Sequence, residues 1–220
     1  DPFARIVAGE KDAWSDPAFT EALTKIQDMV KAGGLGDTYG SVDADSNADL
    51  ALVHTGKAAM VLQGSWVYST FLADAPDMVS SGDLGYTTFP TVAGGKGDPS
   101  NVTGNPANFW SVTASATDAD RTTAVAYLNE EMFSQPYIAT CVKQGLIPGA
   151  LNAEEAIKGS EYEEYLTFGY NLTKDAGHFQ MSWDQALPPA QAQELLTNLS
   201  QIFLLQLTPE EFVKKMNATL

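Results

Sequence analysis

The chain has 220 residues, 44% of them hydrophobic and 18% charged, a globular composition with enough apolar residues for a core. A formal net charge of −16 and a pI of about 4.2 argue against a phosphate backbone or an anionic membrane surface as a partner, so no nucleic acid is expected. The single cysteine, Cys141, rules out an intramolecular disulfide, and with only His54 and His178 beside it neither structural zinc nor another metal site is expected.

No apolar run reaches the ~18 residues of a membrane span, and no leader peptide opens the chain. Asp1-Pro2-Phe3-Ala4-Arg5 reads as the interior of a longer protein. A disulfide-free secreted chain suits a bacterium better than a eukaryotic ectodomain. The Asn-x-Ser/Thr triplets at Asn101, Asn171, Asn198 and Asn217 read as incidental in a chain rich in Ser and Thr.

In chain order, Asp16-Pro17 predicts a helix start, with Phe19, Leu23, Ile26, Met29 and Val30 on one face and Gly33-Gly34 as its stop. A short helix is predicted from Ser46 to Thr55. Ala58 to Leu62, a continuous apolar run between Gly56 and Gly64, predicts a strand buried on both faces. A helix over 67–72 follows, then a strand over 84–89, a Gly/Pro/Asn/Thr-rich loop over 91–106 and a third strand over 109–114. Thr117 and Ser134 predict caps for helices over 118–132 and 135–144. Short helices are predicted near 152–158 and 161–171, then a long loop over 172–189 and an apolar helix over 190–207. Thr208-Pro209-Glu210-Glu211 predicts a capping box opening the last helix. Helices packed around a sheet make the expected fold class α/β.

The segment Gly56-Lys57-Ala58-Ala59-Met60-Val61-Leu62-Gln63-Gly64-Ser65-Trp66 resembles the "GKAAM…G.W" stretch of family 1 extracellular solute-binding proteins, the maltose-binding-protein-like group. Trp14 to Gly33, Leu84 to Pro90, Ser111 to Met132 and Thr208 to Leu220 are similar to further segments of that family, in the same order. The resemblance implies a periplasmic-binding-protein-like (type II) fold of two lobes with a ligand cleft between them. It implies that this chain is the C-terminal half only. Residues 1–106 would form part of the C-terminal lobe, 107–157 a segment returning to the N-terminal lobe, and 158–220 a helical segment of the C-terminal lobe. The implied function is extracellular capture of a sugar or oligosaccharide and its delivery to the membrane permease of an ABC transporter. No catalysis and no cofactor are implied. The implied location is the bacterial cell surface, through a lipid anchor outside this sequence, or the periplasm.

Trp66 is the first site candidate. It follows an expected strand, a glycine and a helix start, where open α/β folds place ligands and where a helix offers free backbone N–H groups. Its indole could stack on a pyranose, and the family has a ligand-stacking tryptophan at the matching position. Gly64 would allow close approach and Ser65 would offer a hydroxyl. The competing reading is a core aromatic beside Val67 and Phe71. The second candidate is Gly104 to Trp110, where the amides of Asn105 and Asn108 would serve sugar hydroxyls beside Trp110. Strand alternation would put Phe109 and Ser111 on the face opposite Trp110. The third is the loop carrying Trp183 and Asp184. For both, a packed turn or loop is the alternative. Cys141 reads as a buried structural cysteine.

Two other functions compete. A glycoside hydrolase would pair Asp184 with a second carboxylate, but nothing in the sequence fixes such a pair. A helical interaction module without a small ligand would bury the aromatic and amide clusters.

Overall fold

A computed structural model describes residues 1–105 and 109–220. In chain order its helices are α1 (Pro2–Val7), α2 (Pro17–Lys31), α3 (Ala48–His54), α4 (Val67–Asp74), α5 (Pro76–Ser80), α6 (Asp118–Glu130), α7 (Gln135–Lys143), α8 (Ala153–Ile157), α9 (Glu163–Lys174), α10 (Trp183–Ala186), α11 (Pro189–Phe203) and α12 (Pro209–Asn217). Strands β1 (Val102–Gly104) and β2 (Phe179–Met181) pair as a two-stranded sheet.

The predicted caps form as the side-chain chemistry requires. Asp16 accepts from the Ala18 N–H, Thr117 from Asp120 and Ser134 from Tyr137. Thr208 and Glu211 close a reciprocal capping box around the start of α12. Helix α11 stops at Phe203, short of the expected 207, where Leu205 takes the left-handed conformation, φ +57°, that more often falls to a glycine. The expected loop over 172–189 is instead the end of α9, strand β2 and helix α10. Helices α1 and α5, each with a proline in its first turn, go beyond the sequence expectation.

The expected α/β sheet is the main departure. Residues 58–62, 84–89 and 109–114 join no ladder, and the described residues are mostly helical. A buried parallel strand needs a neighbour along its edge, and the described residues supply none for these segments. They run as irregular or extended chain. Ala58, Val61 and Leu84 lean on Leu50, Val53 and Phe71 of the helices, while Met60 and Leu62 are 86% and 77% exposed.

The chain divides into two compact units, residues 1–46 with 181–220, and residues 47–180. In the first, Phe3, Ile6, Trp14, Leu23, Leu195, Ile202, Phe212 and Met216 form the core. Phe19 and Ile26 of α2 pack against it, as their spacing predicts. Gln27, on the same face, is buried and donates from Nε2 to the carbonyls of Leu207 (2.8 Å) and Ile202 (3.3 Å). One side chain thus satisfies the Leu207 carbonyl and adds a second donor to the Ile202 carbonyl, which also accepts from the Leu205 N–H at 3.1 Å. Asn217 holds the tail of α12 to the loop before α2: its Oδ1 accepts from the Trp14 N–H at 3.0 Å, and its Nδ2 donates to the Ser15 hydroxyl at 2.8 Å.

The second unit has two adjoining apolar clusters. Tyr68, Val142, Ile157, Tyr165 and Leu166 form one; Leu50, Val53 and Phe71 form the other, and Leu84 and Val79 pack against both. Gly145 sits at φ +71° where a Cβ would strike Tyr68 and Leu72, so only glycine fits there. Cys141 lies on α7 half-buried, less enclosed than expected.

Candidate functional site

The turn from Gln63 to Trp66 is built by the two elements on either side of it. Asp49, in the first turn of α3, accepts from Gln63 Nε2 at 2.7 Å. At the other end, the Ser65 carbonyl accepts from the Tyr165 hydroxyl of α9 at 2.6 Å. Between these two ties, the Trp66 indole lies against the backbone of Gly64. A Cβ on Gly64 would overlap Cζ3, Cη2 and Cε3 of the ring. Trp66 is nonetheless 57% exposed. One side of the indole is backed by the chain and much of the remainder faces solvent.

Sequence reasoning expected free N–H groups at the start of α4, and the structure corrects this. The N–H groups of Val67 and Ser69 donate to the carbonyls of Gly64 and Trp66, each at 3.3 Å, and that of Tyr68 points at the Ser65 carbonyl at 3.5 Å. These i→i−3 contacts tighten the first turn and use the donors that a ligand would otherwise meet. No side chain caps α4. What the turn presents is therefore an indole surface and the exposed residue Ser65, rather than a ring of amide donors.

Tyr165 is the residue that the sequence did not single out. It is buried, and its ring stacks on Tyr68 with centroids 3.8 Å apart and planes 8° from parallel. Tyr86 meets it edge-on at 5.1 Å. Burial, with smaller contributions from Tyr68 and Tyr86, pushes its phenol up to about 12, so it stays a hydrogen-bond donor at neutral pH. Its place on the inner face of α9 was legible from helical spacing. Its partner, 100 residues earlier in the chain, was not.

The other candidates stand apart. Asn108 lies outside the described residues. Asn105 is exposed just after β1. Phe109 and Trp110 are 85% and 67% exposed, and without a ladder the expected alternation of faces does not form. Trp183 belongs to the first unit, where it stacks on Phe3 at 4.6 Å and meets Trp14 and Phe19 edge-on. Asp184, beside it, accepts from Gln185 Nε2 at 3.0 Å. Its carboxyl is held below the ordinary range chiefly by the Ser182 hydroxyl, then by Gln185. A general acid needs the opposite shift. A shallow concavity of about 460 Å³ between α6 and α7, lined by Tyr127, Glu131, Met132 and Tyr137, includes none of these residues.

Residues 2–167 match the family described as bacterial extracellular solute-binding protein, three quarters of the chain. The chain belongs to that family. No curated protein gives a significant match. The matched span takes in the whole Gln63–Trp66 turn and Tyr165. Solute-binding proteins of this family are extracellular bacterial proteins, generally without catalysis, that hold a substrate ligand for an ABC transporter.

Proposed function

We propose that this solute-binding protein captures a sugar or oligosaccharide, with Trp66 as the stacking surface, and delivers it to the permease of an ABC importer. The observation that carries the reading is the Trp66 indole, braced on the Gly64 backbone yet more than half exposed. A large exposed aromatic with one face supported suits the apolar face of a pyranose. Ser65 supplies a polar group alongside. Asn105, Asn108 and Trp110 form a second contact region. Trp183 and Asp184 form a third, the weakest of the three because Trp183 is already engaged with Phe3.

In this reading the chain contributes to a periplasmic-binding-protein-like fold of two lobes. Residues 1–106 and 158–220 belong to the C-terminal lobe and 107–157 to the N-terminal one. Ligand favours the closed form by binding it more tightly than the open form, and the permease recognises that closed form. A lipid anchor carried elsewhere in the full protein holds it at the cell surface.

The test is calorimetric titration of the full-length protein with a panel of mono- and oligosaccharides, repeated with Trp66→Ala. The expected result is heat with at least one sugar and a loss of about tenfold or more in affinity in the variant, some 1.4 kcal/mol, with an unchanged circular dichroism spectrum. Equal affinity in the two proteins would remove Trp66 from the site. No heat with any sugar would favour the interaction-module reading.

A further inference from the structure

We propose that Tyr165 is the positioning residue for Trp66, a two-point clamp that fixes the orientation of the indole without touching the ligand. The inference rests on the reading of Trp66 as the contact surface and adds to it the residue that sets its geometry.

Helix α4 begins with no side-chain cap, and its first turn is closed by long contacts of 3.3–3.5 Å. A helix start of that kind frays unless something outside the helix holds it. Tyr165 reaches it twice. Its hydroxyl donates to the Ser65 carbonyl, one residue before Trp66, at 2.6 Å. Its ring stacks on Tyr68, two residues after Trp66, at 3.8 Å. Trp66 thus sits between two points of attachment to one rigid aromatic side chain. That side chain is itself locked, with Tyr86 against its edge and α9 buried along Leu166 and Gly169. The Gln63–Asp49 bond anchors the preceding residue from α3.

The geometry separates two functions within one residue. Removing the ring would open the core of the second unit. Removing only the hydroxyl would keep the ring stack and release the Ser65 carbonyl, so the effect falls on the turn that carries Trp66. Tyr165→Phe is that change, at a cost typical of one hydrogen bond.

The experiment is fluorine NMR of the full-length protein labelled with 5-fluorotryptophan, which needs no ligand. Trp66→Phe assigns the Trp66 resonance. The expected result in Tyr165→Phe is a shifted or broadened Trp66 line, with the lines of Trp14, Trp110 and Trp183 unmoved. An unmoved Trp66 line overturns the proposal. So does a common shift or collapse of all the tryptophan lines, which would make Tyr165 a general core residue. Because the readout is free of ligand, its failure is distinct from failure of the Trp66 assignment itself, which the sugar titration of Trp66→Ala decides.

Discussion

The indole of Trp66 rests directly on the backbone of Gly64, in space that any Cβ would occupy. Glycine is there for close approach, since its φ is not in the left-handed region. Gly64→Ala is expected to push the ring off its seat. The ring is largely exposed, so it can rotate away into solvent, and the predicted cost in stability is small, within about 1 kcal/mol. Sugar affinity is expected to fall by about tenfold, as in Trp66→Ala. Calorimetry and thermal melts of the same sample check the two halves of this prediction. Wild-type affinity in the alanine variant would show that the seat of the ring is irrelevant to binding.

Gln27 gives a prediction about stability in the first unit. Its amide bonds two carbonyls, of Ile202 and Leu207, from a buried position on α2. Gln27→Leu puts an apolar side chain of similar size on the core face but leaves the Leu207 carbonyl without this donor, while the Ile202 carbonyl keeps the Leu205 N–H. A buried acceptor stripped of its partner is costly, so a loss of about 1–2 kcal/mol is expected, larger than for a typical exposed substitution. Urea unfolding followed by tryptophan fluorescence reports it, since Trp14 lies in that core. A loss under about 0.5 kcal/mol would mean that water replaces the amide.

Met60 and Leu62 bear on how much of the molecule the sequence discloses. Helix positions and caps at Asp16, Thr117, Ser134 and Thr208 were readable because helical periodicity and capping are local: partners lie within three or four residues. Strands were not. The run Ala58 to Leu62 has the composition of a doubly buried strand, but a strand exists only with a neighbour, and composition does not say whether one is present. The same limit applies to the site. Trp66 and Gly64 are two residues apart in sequence and could be nominated together, whereas Tyr165 comes to Ser65 only through the packing of α9 on α4. Met60→Ser and Leu62→Ser, at 86% and 77% exposed positions, are accordingly expected to change stability by no more than about 0.5 kcal/mol each in this chain. Losses of about 2 kcal/mol or more would show that the run is buried as a core strand after all.

Alkaline pH tests the Tyr165 contact from a different direction. Its phenol titrates at about 12 in the folded chain against an ordinary value of 10.0, because burial disfavours the phenolate. Between those two values the unfolded chain has released the proton and the folded chain still holds it. The unfolded state then binds fewer protons, so stability falls as pH rises. The contribution is fully present below about pH 10 and is lost as pH climbs through about 12. Its size is of order 2 kcal/mol. Ionisation also turns the donor facing the Ser65 carbonyl into an acceptor, so the 2.6 Å contact becomes repulsive. The expected outcome is a melting temperature that declines over this window in the wild-type protein and declines less in Tyr165→Phe, which has no proton to lose. Tyr68, Tyr86 and Tyr162, also raised by burial, contribute a shared background to both proteins. The difference between the two melting curves therefore isolates Tyr165. Parallel declines in the two proteins would mean that its hydroxyl is free to ionise without disturbing the fold, and that the bond to Ser65 holds nothing in place.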